Sequence, residues 1–175
     1  MKRNWLGALL QGNVPFAPKY GFLIVVCLVL LLLWLGRPVS AFVIQDVTEG
    51  STIYAHVIDD SLSISHRYIH SVEKCPIIEK FEVRKEGIEL TESWNCSFGA
   101  GIAYDEGSGS GSIQDGYYVI ENIGKKMSEL YVSPASFSDH TMTIDDETIA
   151  LSEKYPYHTL QLTIQELSRL ELWLK

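Results

Sequence analysis

Two short stretches of this 175-residue chain carry side chains able to hold a metal, move a proton or line a ligand pocket. From Leu62 to His70 residues alternate, so that Leu62, Ile64, His66, Tyr68 and His70 share one face of a strand and Ser63, Ser65 and Arg67 the other. From Ile77 to Arg84, Glu79 falls on the same face as Phe81 and Val83, opposite Lys80, Glu82 and Arg84. An acid on a core-facing position needs an explanation. If Ser71 to Pro76 closes a hairpin, His70 opposes Ile77 and Tyr68 opposes Glu79, which puts Glu79 diagonally between His66 and His70. A partly buried carboxylate beside imidazoles is costly unless it is hydrogen-bonded, ion-paired or coordinating a cation. Three readings follow. The group is a buried Tyr–Glu–His network that pins the strand register. Or it is a divalent metal site built from His70, Glu79 and His140, with His66 as a further ligand, although the spacing matches no zinc signature. Or it lines a ligand pocket.

Other residues offer less. His70 and Ser71 are adjacent, but neighbours on a strand point to opposite faces and no Gly-x-Ser-x-Gly turn is present, which argues against serine hydrolysis. Phe98-Gly-Ala-Gly101 offers backbone that a partner can approach closely, yet no Lys-Ser/Thr follows as a phosphate loop requires. Asp139-His140 reads as a turn or as an acid orienting an imidazole. Tyr117, Tyr118, Tyr131, Tyr155, Tyr157 and Trp173 read as core and rim packing.

Cys75 and Cys96 flank a candidate hairpin. A tight turn at Lys85-Glu86 pairs residues whose numbers sum to 171, which sets these two cysteines opposite each other within disulfide reach. A turn at Glu86-Gly87 shifts the register by two and loosens that geometry, so the bond is left open. Neither cysteine belongs to a Cys-x-x-Cys metal knuckle.

The elements that must position these residues read as all-β, a single sandwich-like or small-barrel domain. Besides the two stretches above, strand patterns occur at Phe42 to Val47, Thr52 to Ile58, Ile88 to Trp94, Tyr117 to Ile120, Met127 to Val132, Thr141 to Ile144 and Thr148 to Leu151. Turn signals at Glu49-Gly50, Asp59-Asp60, Glu86-Gly87, Asp115-Gly116 and Asp145-Asp146 punctuate them. Leu160, Leu162 and Ile164 alternate, as do Leu170, Leu172 and Leu174, which suggests two more strands. Leu167, Leu170 and Leu174 equally suit one face of a short helix; the strand reading is preferred. Gly99 to Ser112 is a Gly/Ser-rich loop with little capacity to pack.

Ahead of this domain runs an uninterrupted apolar segment, Gly21 to Gly36, with Lys2, Arg3 and Lys19 before it and every acid after it. Translocation keeps Lys and Arg flanks in the cytoplasm, so the bulk of the chain is expected beyond the membrane of a bacterial-type envelope. The segment covers roughly 24 Å at ~1.5 Å per residue, short of a ~30 Å hydrocarbon core; Lys19 and Arg37 can extend it by snorkelling. The expected organisation is a cytoplasmic N-terminus over 1–19, a single-pass anchor or uncleaved signal over 20–37 and an extracytoplasmic β domain over 42–175. The rival is a signal peptide cut after Val39-Ser40-Ala41, with Pro38 close to the cut. Lipid attachment at Cys27 is disfavoured by bulky Val26. Beyond Ala41 lie all 22 acids and ten of the 14 bases, a net charge of −12. Such a surface repels nucleic-acid phosphates and gives no electrostatic grip on anionic headgroups.

His70-Ser-Val-Glu73, Pro76, Glu79, Phe98-Gly-Ala-Gly101, Asp115-Gly116 and Asp139-His140 together resemble the motif series of the uncharacterised domain-of-unknown-function 1850 family. The resemblance runs from about Leu62 to Pro156. The chain departs from it in the Gly/Ser tract after Ala103 and between Tyr157 and Ser168, and His66 lies outside the motif. The resemblance implies an N-terminal apolar segment and an accessory role beside a tripartite (TRAP-type) transporter with a TAXI-class solute receptor. It implies no activity. The expectation is a non-enzymatic, membrane-anchored envelope protein that binds a transporter permease or solute receptor and needs no cofactor. Its expected functional face is Tyr68, His70, Ser71, Glu73, Glu79, Phe98, Gly99 and Gly101. The alternative is a metal- or ligand-binding envelope enzyme using His70, Glu79 and His140.

Overall fold

The computed structural model describes residues 18–96 and 110–174. The chain divides into two units at Arg37 and Pro38. The first contains helix α1 (Pro18–Leu35), whose apolar side chains are exposed from Phe22 to Trp34 apart from half-buried Val26. Among the described residues no helix is long and apolar enough to cross a membrane. The expected anchor therefore rests on the flanking charges rather than on the length of α1.

The second unit is all-β, two antiparallel sheets packed face to face. One sheet has the order β2 (Ser51–Val57), β1 (Pro38–Asp46), β11 (Leu160–Ser168), β8 (Glu129–Val132). The other runs β10 (Glu147–Ala150), β9 (Thr141–Ile144), β3 (Leu62–Ile69), β4 (Pro76–Arg84), β5 (Gly87–Asn95), β7 (Tyr117–Met127), β6 (Ser110–Gln114). Short helices α2 (Leu151–Lys154) and α3 (Arg169–Leu174) follow β10 and β11. Phe42, Ile44, Leu160, Leu162 and Val132 from the first sheet meet Ile64, Phe81, Val83, Ile88, Met142 and Ile144 from the second in one buried cluster. Period-two alternation put these side chains on one face of each strand, and burying each contributes about 1.5–3 kcal/mol.

Several elements differ from the sequence reading, each for a local reason. The run from Met127 to Val132 is not one strand: β7 ends at Met127 and β8 begins at Glu129 in the other sheet. The Gly/Ser tract is not all loop, because Ser110 to Ser112 open edge strand β6 beside β7. Gly111 lies directly against the Tyr118 ring, where a Cβ would collide with the phenol, so this glycine admits the close strand approach. The residues from Leu170 to Leu174 are helical. Ser168 and Glu171 explain it: the Ser168 backbone N–H and hydroxyl both donate to the Glu171 carboxylate (2.7 and 2.8 Å), and the Glu171 N–H donates back to the Ser168 hydroxyl (3.2 Å). This capping box ends β11 and starts α3 in one step. Of the aromatics read as packing, Tyr131, Tyr157 and Trp173 are exposed.

The β4–β5 hairpin has the turn at Lys85-Glu86 and pairs Arg84 with Gly87 through Phe81 with Leu90. A bulge at Thr91, whose hydroxyl donates to the Lys80 carbonyl (3.0 Å), then shifts the register by one. Cys75 and Cys96, just beyond the ladder, are joined in a disulfide with Cα atoms 6.1 Å apart. The bulge also changes which side chains face the core. Strict alternation from Ile88 would turn Trp94 inward; instead Ser93 and Asn95 are buried. Trp94 donates to Glu92 (3.0 Å) and lies beneath the Lys80 ammonium, 5.0 Å from the ring centre.

Candidate functional site

The polar end of the larger sheet's inner face is built by β3, β4 and the residue preceding β9. His66 is buried (4% exposed) and lies opposite Glu79 on one side and Met142 on the other. The register is thus two residues away from the expected one, with Tyr68 opposite Ile77. The faces are unchanged because a shift of two preserves the pleat. The cause is the connection. His70 leaves the strand to build a turn with Cys75, in which Lys74 takes a left-handed conformation (φ 55°) and donates its N–H to the His70 carbonyl (2.9 Å). The His70 Nδ1 accepts the Glu73 N–H at 3.2 Å, so this imidazole braces the turn.

His140 takes the place beside Glu79 and His66 that the sequence reading gave to His70. It sits one residue before β9, two before buried Met142, on the same inner face. Its carbonyl accepts the N–H groups of Leu151 and Ser152 at the start of α2, and its own N–H donates to the Ser152 hydroxyl (2.8 Å). That hydroxyl donates on to the Ala135 carbonyl (2.7 Å). Asp139, left-handed at φ 46°, points the other way and pairs with Arg67 at 2.9 Å on the outer surface.

The side chains form a chain of contacts. Glu79 Oε2 lies 3.7 Å from His66 Nδ1, and His66 Nε2 is hydrogen-bonded to His140 Nδ1 at 3.0 Å. Tyr68 stacks on His140 with centroids 5.1 Å apart and planes 8° from parallel, and lies 5.1 Å from the His66 ring. A proton on His66 Nδ1, facing the carboxylate, makes Nε2 the acceptor. His140 then donates from Nδ1 and keeps the Nε2 lone pair. Burial, with the nearby charge of Glu79, pushes the Tyr68 phenol up to about 12. Burial and then the neighbouring His66 push His140 down to about 4, against the opposing pull of Asp139 and Glu79. At neutral pH the group therefore presents a phenol donor and an uncharged imidazole. An imidazole titrating near 4 is poorly matched to proton abstraction at neutral pH but is a good hydrogen-bond partner.

The depressed His140 value has a consequence for stability. Between about pH 4 and 6.5 the unfolded chain takes up a proton that the folded chain does not, so stability should be complete above about 6.5 and fall as pH drops toward 4. Because the ring is only half-buried, solvent screening keeps the loss well below the roughly 3 kcal/mol that the full displacement would carry. Urea unfolding across this range should show the slope, and His140→Gln should remove up to one proton's worth of it. An unchanged slope in the variant would assign the titration to another group.

His70, Glu79 and His140 are not brought together as a metal site, because His70 is committed to its turn. Among the described residues no group of three His, Cys, Asp or Glu side chains is placed to hold a metal ion. Nor does any buried side-chain nitrogen or oxygen among them lack a hydrogen-bond partner. Ser71 and Glu73 are exposed in the turn after His70. Phe98, Gly99 and Gly101 lie outside the described residues. The disulfide nonetheless fixes Cys96, two residues before Phe98 in sequence, against Cys75 at the base of that turn.

The sequence reading passed over three polar residues. Ser93, opposite Glu79, and Asn95 extend the polar end of the face, with Asn95 donating to Ser93 at 3.1 Å. Only the bulge turns them inward. Asp46, 2% exposed, accepts a hydrogen bond from His158 and from the N–H groups of Thr48 (2.9 Å) and Glu49 (3.2 Å). No motif links residues so far apart in sequence.

A family model described as Domain of unknown function (DUF1850) matches residues 64–151, a span that holds His66, Tyr68, Glu79 and His140 together. No curated protein and no solved structure matches the chain.

Proposed function

Because the chain belongs to the DUF1850 family, whose description assigns no activity, we propose from the site itself that it is an envelope binding protein rather than an enzyme. It holds a partner at the polar end of the larger sheet. The observation that carries this reading is the 3.0 Å His66–His140 hydrogen bond backed by Glu79. It holds the two imidazole rings in one arrangement, with Tyr68 stacked on His140 and Glu79 beside His66, and so favours a fixed recognition surface. The turn of Ser71 and Glu73 adjoins that surface, and the disulfide holds Cys96 at the base of that turn. The domain is placed outside the cytoplasmic membrane, anchored by the segment over 20–37, on the strength of the charge asymmetry about that segment. The disulfide suits such an oxidising compartment. The partner, a TRAP-type permease or its TAXI-class receptor, follows from the family resemblance alone.

The test is affinity purification of the tagged full-length protein from gently solubilised native membranes, read by mass spectrometry. Recovery of a transporter permease or solute receptor is expected. Glu79→Gln and Tyr68→Phe should reduce that recovery at least several-fold while leaving the melting temperature within a few degrees. Recovery of no transporter component would overturn the transporter reading. Variants that unfold the domain instead would make the cluster a register device only.

A further inference from the structure

We infer that the surface of Tyr68, Glu79 and His140 receives the ammonium of a lysine side chain on the partner protein, with Glu79 as its counter-charge. The inference rests on the binding reading above and names the group that the partner must supply.

The charge at this surface is the first ground. Among the described residues Glu79, 29% exposed, has no Lys or Arg within ion-pair distance. Its neighbour His66 Nδ1, at 3.7 Å, is too far for a hydrogen bond. Burial keeps His140 uncharged at neutral pH and keeps the proton on the Tyr68 phenol, so neither offsets the carboxylate. A partly buried carboxylate left in this state favours the approach of a cation.

The outer face of the same sheet shows how this fold meets such a carboxylate. Lys80, the residue after Glu79 on β4, sets its ammonium 2.8 Å from Glu92 and 5.0 Å from the centre of the Trp94 ring. Carboxylate, aromatic ring and ammonium are there assembled from within the chain. On the inner face Glu79 stands beside the rings of His66, Tyr68 and His140, whose centroids are 5.1 Å apart in every pair. Among the described residues only the ammonium has no counterpart.

The open acceptors suit lysine rather than arginine or a metal ion. Neither the Tyr68 hydroxyl nor His140 Nε2 is hydrogen-bonded to another described residue. No buried side-chain nitrogen or oxygen among these residues lacks a partner, so both atoms reach solvent. With the carboxylate they make three acceptors, equal in number to the three N–H donors of an ammonium. A guanidinium pairs best with both oxygens of a carboxylate, and here Oε2 faces His66. No group of three ligating side chains is placed for a metal ion among the described residues. The ammonium is protein-borne because one partly solvated ion pair is weak by itself and gains strength only as an anchor within a larger contact. The domain's charge of −12 steers a basic patch toward it.

The experiment titrates the detergent-solubilised full chain with Nα-acetyllysine methylamide, following the ring nitrogen NMR signals of His66 and His140. Saturable shifts are expected with a dissociation constant on the order of millimolar. The norleucine analogue, which has no ammonium, should give none. Glu79→Gln should weaken binding about tenfold or more, while Asp60→Asn, at an exposed acid, should leave it unchanged. Equal shifts from the lysine and norleucine compounds would overturn the ammonium site, whether or not the variant folds. Saturation at micromolar concentration would overturn the protein source in favour of a free amine. A chain that fails this titration yet recovers a transporter component from membranes loses only the lysine contact. One that passes it yet recovers no such component loses the partner reading, and the protein source with it.

Discussion

Replacing Cys75 and Cys96 together by serine should lower the stability of the β domain by about 3 kcal/mol, the value expected for closing a loop of roughly this length. The two cysteines are 21 residues apart in sequence and bracket the β4–β5 hairpin. In the unfolded chain the cross-link removes the freedom of that whole segment. In the folded chain it adds little, because the ladder from Ile77–Asn95 to Arg84–Gly87 already holds the ends together. The stabilisation therefore acts mainly on the unfolded side. For a domain of this size it corresponds to a fall in melting temperature of about 10 °C. Thermal unfolding of the oxidised, reduced and double-serine forms measures it, and the last two should agree. Equal midpoints for all three would mean the native hairpin is strained by the bond as much as the unfolded chain is confined by it.

Asp46→Ala should cost a similar amount, about 3 kcal/mol or more, since it leaves buried donors without their acceptor. Asp46 ends β1 at the turn into β2 and accepts from the Thr48 and Glu49 N–H groups with one oxygen and from His158 with the other. Burial alone would raise this carboxyl. The hydrogen bonds from His158 and the two backbone amides outweigh it and hold Asp46 below the ordinary aspartate range. The sign follows from the depressed value. The stabilisation is present above the unfolded aspartate value near 3.9 and is lost as pH falls through the lower folded value. The Asp46 loss therefore lies below the window in which His140 titrates, and acid unfolding should show two limbs. Asp46→Asn keeps the shape but turns a donor toward one of its three partners, so it should recover only part of the loss. An Asp46→Ala protein with wild-type urea midpoint would show that water replaces the carboxylate at no cost.

The candidate site was half legible before folding. His66, Tyr68 and Glu79 were placed on one inner face correctly, because side chains alternate with period two along any strand. His70 was placed with them wrongly. A two-residue slip between β3 and β4 moves no side chain to the other face, so the apolar pattern is blind to it. The hydrogen bonds of the turn from His70 to Cys75 set that register, and with it the replacement of His70 by His140. The same blindness hid Ser93 and Asn95, which a one-residue bulge at Thr91 turns inward. The Ser168-x-x-Glu171 capping signal was present in the sequence and outweighed the apparent alternation of Leu170, Leu172 and Leu174.

The sequence by itself determined the quantities that depend only on which residues are neighbours in the chain. These are the strand faces, the charge asymmetry about the apolar segment, the acidity of the domain and its membership of the family through local motifs. Only the tertiary structure decided the contacts between distant residues: His66 with His140, Asp46 with His158, and Pro38 with Ser168. Each brings together residues 74 or more positions apart. No local preference encodes such a meeting; it follows from the burial of two apolar faces against each other, which fixes the strand order and leaves the polar residues to pair where that order puts them.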